Sequence, residues 1–292
     1  MKSTYATLPH VSEFVEWLAQ ELDSTTLFKH AYIDRRSGKQ WECDSLFSAY
    51  QGYTWNHPGN ARLKINPGVS ATSNAQALDA LRQDLFAAGE SDELMLQATL
   101  DVMAWGGVTA HNAQWLKGNA IGLGSMLQEV RMAFFENNLE SAVLNSRTLR
   151  FNSGMTKVYS LMCPDFVIYD SRVAAALGML VVKYCKTQGL SKVPEGLNFP
   201  WAAAKEGAST LNPKQRNPST DRLKFKRLRA GSHHALWNMR CNWVLSQVVA
   251  HPLAGDSHFQ MVAAPGDPLR AIEQALFMIG YDLGSDAIAA VA

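Results

Sequence analysis

Cysteine is scarce and scattered: Cys43, Cys163, Cys185 and Cys241 are the four in 292 residues, and no two approach CxxC spacing. That excludes a zinc or iron–sulfur site built on paired cysteines. Four cysteines in so long a chain are no disulfide framework either, so a reducing compartment is expected. Long apolar runs are missing too, since none reaches the roughly 20 residues of a membrane span. The opening stretch carries Glu13 and Glu16 and has no uninterrupted apolar core, unlike a secretory signal. The expected setting is therefore cytoplasmic, away from membranes. Net charge is nearly absent, with 27 basic against 26 acidic residues, so affinity for a polyanion has to come from uneven distribution. Internal repeats, low-complexity tracts and linker-like stretches are absent. Strand signals are few: Tyr32–Trp41, around Arg36-Ser37-Gly38-Lys39, reads as a hairpin.

What fills the chain is helical periodicity. Val11, Phe14, Val15, Leu18 and Leu22 share one helical face, and Leu78, Leu81 and Leu85 repeat the pattern with Ser73 as N-cap and Gly89 as stop. A further helix runs from Ser91 to the break at Trp105-Gly106-Gly107. Leu123, Met126, Leu127, Val130 and Phe134 mark another, and Val173, Leu177, Leu180, Val181 and Tyr184 form a stripe directly after Asp170. Leu236, Met239 and Trp243 belong to a late helix, and Leu269, Ile272, Leu276 and Ile279 to the last. The stretches 53–74, 106–120 and 187–221 read as irregular. The expected class is all-α: a single unit over 1–292, with lobes at 1–150 and 151–292.

The stretch that carries chemistry runs from Asn152 to Val173. Ser153-Gly154 is a tight turn opening a short helix, a geometry that offers backbone N–H groups to a phosphate. Pro164 stops that helix, Phe166-Val167-Ile168 forms an apolar connector, and Asp170 stands as N-cap of the next helix. Each part alone has a plain explanation: an Asp before a helix is usually only a cap, and a lysine in a first turn is usually only solvated. Their order is what stands out.

That order of Gly154, Thr156-Lys157-Val158, helix, apolar triplet and Asp170-Ser171-Arg172-Val173 resembles the core of helix-hairpin-helix DNA glycosylases, most closely the 8-oxoguanine branch. The resemblance covers some 25 residues and places the helix-hairpin-helix core at about 140–186. The hairpin reads Asn-Ser-Gly-Met where the family has Pro-Gly-Val-Gly, Lys and Asp stand closer in sequence, and Arg172 replaces a frequent His. The resemblance implies two helical lobes with a cleft, Lys157 as nucleophile, Asp170 as catalytic carboxylate, and Ser153, Gly154, Met155, Thr156 and Arg172 against DNA. It also implies a monomer that needs no cofactor and no metal, and double-stranded DNA bearing a modified base as partner. Such a base is flipped and excised, with AP-lyase chemistry where the lysine forms a Schiff base. Oxidised guanine or a modified base of phage DNA fits that class.

From Lys214 to Arg229 the sequence holds seven basic residues, Lys214, Arg216, Arg222, Lys224, Lys226, Arg227 and Arg229, against one Asp. Such a run suits phosphate contacts but reads no bases. Beyond it, His234, Trp237 and Asn238 on one helix, with Trp105, are candidates for a base pocket, against the alternative of core packing. In the 53–74 loop, Asn56, His57, Asn60 and Arg62 are candidates for filling the gap a flipped nucleotide leaves. Two other functions remain open: a non-catalytic DNA-binding protein that uses the hairpin and basic run, and a helical protein whose basic patch meets an acidic partner.

Overall fold

The computed structural model describes residues 2–35, 37–108, 111–163, 165–206, 210–220, 222–262 and 267–284. Among these the chain forms α1 (Lys2–Ala6), α2 (Pro9–Glu21), β1 (His30–Ile33), β2 (Gln40–Cys43), α3 (Leu46–Gln51), α4 (Ala71–Ala88), α5 (Asp92–Trp105) and α6 (His111–Gly118). It continues with α7 (Leu123–Phe135), α8 (Ala142–Asn145), α9 (Thr156–Met162), α10 (Ser171–Thr187), α11 (Ser232–Ala250) and α12 (Pro268–Ile279). The protein is mostly helical, as its periodicity predicts. No helix is long and apolar enough to cross a membrane among the described residues.

Caps and stops decide where the helices begin. Ser91 caps α5, and Asp170 caps α10 through bonds to the amides of Arg172 and Val173. Gly89 ends α4 at φ +55°. The cap of α4 is Ser70 rather than Ser73: the Ser70 hydroxyl accepts from the Ser73 amide, which starts the helix three residues early. The region 106–120, expected to be irregular, contains α6, which buries Asn112 and Leu116. The hairpin forms as β1 against β2 in antiparallel register, His30 opposite Cys43 and Ile33 opposite Gln40. Of its turn, Arg36 lies outside the described residues, as does Pro164 at the end of α9.

The chain divides into two units, and not near residue 150 as expected. One unit gathers 54–168 and 229–242; the other gathers 2–53, 169–228 and 243–284 of the described residues. The lobes expected at 1–150 and 151–292 therefore give way to an interleaved arrangement. Hydrophobic stripes do not sort by sequence position; α2 finds its burial partners beside α10, far along the chain.

In the first unit, Leu81, Leu85, Met95, Val102, Leu127 and Val130 line the core. Aromatic pairs close it, with Phe151 stacked on Tyr159 at 4.5 Å and Phe134 on Phe166 at 4.7 Å between ring centres. In the second, α12 packs on α3 and α10, burying Ile272, Leu276 and Ile279 with Leu46, Leu177 and Leu180. Each such side chain contributes about 1.5–3 kcal/mol of hydrophobic stabilisation.

Candidate functional site

The hairpin before Lys157 lies in the first unit and is held by an asparagine. Asn152 Oδ1 accepts from the amides of Gly154 (2.9 Å) and Met155 (3.0 Å), and its carbonyl accepts from the Thr156 amide (2.9 Å). This Asx-type turn uses the N–H groups expected to grip a phosphate. Met155 and Thr156 are fully buried. The expected DNA contacts at Gly154, Met155 and Thr156 are thereby corrected, because their amides are already bonded within the hairpin. Ser153 is only half-buried.

Asn152 is itself braced by Asn112 of α6. The two carboxamides exchange hydrogen bonds of 2.9 and 3.1 Å, and Arg150 also donates to Asn112 Oδ1. Gly154 is required here, since a Cβ at that position would sit 2.0 Å from Asn112 Nδ2.

Every residue of α9 is buried, Lys157 included, at 7% exposure. Its Nζ donates to the Ser153 carbonyl at 3.2 Å. The aliphatic stem passes over Gly106, where a Cβ would lie 2.6 Å from Lys157 Cδ. The glycine after Trp105 thus makes room for the lysine. A lysine kept from solvent in a packed first turn is not the solvated side chain that its position usually means.

The residues expected to form a base pocket make the following contacts in this unit. Asn238 of α11 is fully buried; its Nδ2 donates to the Val167 carbonyl at 2.9 Å, and its Oδ1 accepts from the Thr156 hydroxyl. One turn later, Asn242 Oδ1 accepts from the Val167 amide at 3.0 Å. The two asparagines together satisfy the backbone of the apolar connector, which a buried extended segment requires. His234, 2% exposed, packs on the Phe151 ring at 5.3 Å, and Trp237 lies under the Arg240 guanidinium at 4.7 Å. Trp105 anchors the end of α5: its Nε1 donates to Asn74 Oδ1 at 3.1 Å, and its carbonyl accepts from Trp55 Nε1 at 2.9 Å. Trp105, His234, Trp237 and Asn238, the candidates for a base pocket, are all packed and buried. In the 53–70 loop, Arg62 is committed to Asp84 and Asp101 and His57 is buried, which removes both from the expected gap-filling role.

Asp170 belongs to the second unit and is 8% exposed. Its Oδ1 accepts from the amides of Arg172 (2.8 Å) and Val173 (3.2 Å). Two guanidiniums lie nearby, that of buried Arg216 and that of half-buried Arg172. Arg172 sits 4.1 Å from the Phe277 ring centre and 4.9 Å from that of Tyr281. Gly280 permits this approach, since a Cβ there would stand 1.9 Å from the Arg172 carbonyl oxygen. Arg216, also 8% exposed, donates to the Ser171 hydroxyl, while its buried Nε has no hydrogen-bond partner among the described residues. Burial lowers the proton affinity of both arginines, and their mutual proximity lowers that of Arg172 further; the Asp170 charge opposes the shift in each.

The basic run therefore splits. Lys214 bonds Glu206 at 2.6 Å and Arg216 is buried, so the expectation that these two meet DNA phosphates is corrected; Arg172, half-buried, lies over the Phe277 ring. Arg222, Lys224, Lys226 and Arg227 are exposed, as is Arg229 in the first unit. Asn112, Asn152, Asn242 and Gly106 went unsuspected. Asn152 alone had a local signal, an Asn two and three residues before the amides it caps.

Among the described residues, no group of three His, Cys, Asp or Glu side chains is placed to hold a metal ion. All four cysteines are buried and outside any disulfide. The chain matches no family model, no curated protein and no solved structure.

Proposed function

We propose that the protein is a DNA N-glycosylase of the helix-hairpin-helix type, with Lys157 as nucleophile and Asp170 as the carboxylate that stabilises developing positive charge on the sugar. The observation that carries this reading is the burial of Lys157. A lysine at 7% exposure, its amine held by the Ser153 carbonyl and its stem cleared by a glycine, is the kind of fixed side chain that an amine nucleophile requires. Asp170 supports it as a carboxylate fixed by two amides in a buried setting.

In the proposed reaction the neutral amine attacks C1′ of the flipped nucleotide as the C1′–N bond breaks. The base departs with the bonding electrons and takes up a proton. The lysine-bound sugar then opens to a Schiff base, which permits strand cleavage by elimination. The fixed carboxylate lowers the barrier by opposing the charge of the oxocarbenium-like state. The substrate is duplex DNA with a modified base, in repair or in surveillance of foreign DNA.

The test is incubation of the protein with duplexes carrying assorted base modifications and with modified phage DNA, followed by alkaline cleavage and borohydride trapping. Wild type is expected to release base. Asp170→Asn should lose on the order of 10²–10³-fold in rate, and Lys157→Gln should abolish the trapped adduct. Full excision by the double variant, or no excision on any modified substrate, refutes the reading. The exposed cations of 222–227 favour one alternative, DNA binding without catalysis, for which binding would persist with no base released.

A further inference from the structure

Several cations of the second unit are already engaged. Arg35 pairs with Glu206 and Asp282, Lys214 with Glu206, Arg270 with Glu273, Arg216 is buried, and Arg172 lies over the Phe277 ring. The segment 222–227 is different. Arg222, Lys224, Lys226 and Arg227 are exposed, and among the described residues no carboxylate pairs with any of them. Leu223 and Phe225 between them are buried, at 4% and 8% exposure. Their alternation is that of extended backbone with one face inward.

This segment is braced. Asn198 clamps it with both ends of its carboxamide, donating to the Lys224 carbonyl and accepting from the Lys226 amide, each at 3.0 Å. Trp201 continues the pairing: its amide donates to the Lys226 carbonyl (3.1 Å) and its carbonyl accepts from the Leu228 amide (2.8 Å). The Arg227 guanidinium lies 4.2 Å from the centre of the Trp201 indole. The Ser219 hydroxyl accepts from the Phe225 amide at 3.0 Å. Alternate side chains on extended backbone lie roughly 6.6 Å apart, so Arg222, Lys224 and Lys226 form a row, with Arg227 beside its end on the Trp201 ring.

We propose that Arg222, Lys224, Lys226 and Arg227 are a preorganised ladder that binds the phosphodiester backbone of DNA without reading bases. A linear polyanion matches a linear row of unpaired cations, and ordering entropy is reduced because the backbone is already held. A membrane surface fits less well, because the apolar side chains of the segment face inward and leave nothing to insert. An acidic protein partner would ordinarily find an apolar or aromatic anchor among the charges, and Leu223 and Phe225 are withdrawn from that role. The inference goes beyond the excision chemistry and does not depend on it.

The test is fluorescence anisotropy of the full chain with an unmodified labelled duplex across a KCl series. The triple variant Arg222→Gln, Lys224→Gln, Lys226→Gln should make the slope of log K against log salt shallower by roughly 3, one unit for each phosphate no longer neutralised. Replacing Lys224 and Lys226 with Arg should keep the wild-type slope. Lys39→Gln, Lys186→Gln, Lys192→Gln removes three exposed cations elsewhere and should leave the slope within about half a unit. An unchanged slope in the ladder triple, or an equal loss in the control triple, overturns the proposal. Ladder-dependent binding to phosphatidylserine vesicles or polyglutamate, with none to DNA, overturns it in favour of those partners. Base release is not part of this measurement, so failure of the excision reading leaves its outcome intact.

Discussion

Lys214 and Arg216 open the same basic run to which Arg222, Lys224, Lys226 and Arg227 belong, yet the two groups meet opposite surroundings. The first half is woven into a polar lattice in which Glu206 takes Lys214, Ser171 takes Arg216, and Asp282 takes the Gln215 amide between them at 2.8 Å. The second half faces solvent with no acidic partner among the described residues. Charge density along a sequence therefore does not measure charge available to a ligand. A cation paired or buried inside the protein has no counterion to release, whereas an unpaired surface cation does.

Removing Arg216 is the hardest test of this contrast. Arg216→Met should lower unfolding free energy by about 3 kcal/mol in urea denaturation, because Ser171 and the Asp170 charge lose a buried partner. A change within about 0.5 kcal/mol would break the contrast by showing the inward half to be dispensable. The ladder triple should show only that small change in stability while losing DNA affinity steeply with salt. The smallest expected effect concerns pH. Burial holds the His30 imidazole below its ordinary pKa, opposed by its bond to the Asp282 carbonyl at 2.8 Å. The fold thus favours neutral His30. Its contribution to stability is complete above the ordinary value of about 6.5 and is lost as pH falls through the lower folded value. Denaturation at pH 7.5, 6.5 and 5.5 should show a decline that is reduced in His30→Gln. It should not vanish, because burial shifts His57 the same way.

Much of the helical framework was legible in the sequence, because a stripe such as Val173, Leu177, Leu180, Val181 and Tyr184 has a single consistent use, burial on one face. Asp170 was legible as a cap for the same local reason. The four-residue hairpin strands were legible from their turn. Short α6 was not, since the apolar signal of Leu116 is too brief to outweigh the glycines around it. Nor was the burial of Lys157, which depends on Gly106 some fifty positions earlier. Asn238 looked like a pocket residue because its partners, Thr156 and Val167, lie in another part of the chain. The split in the basic run had left a trace: Leu223 and Phe225 between cations are a period-two pattern, obscured by reading the segment for charge alone.

The interleaving of the two units has a consequence for synthesis. Tyr5 donates to the Gly196 carbonyl across 191 positions, and His30 meets Asp282 across 252. At a translation rate of about 5–20 residues per second, the α2 face of Val11, Phe14 and Leu18 waits on the order of 10–40 s for its partners. Over that interval a ribosome-bound chain displays an apolar helix with nothing to cover it. Such a nascent chain is a natural client for a holding chaperone, and domain-by-domain folding during translation is closed to its second unit.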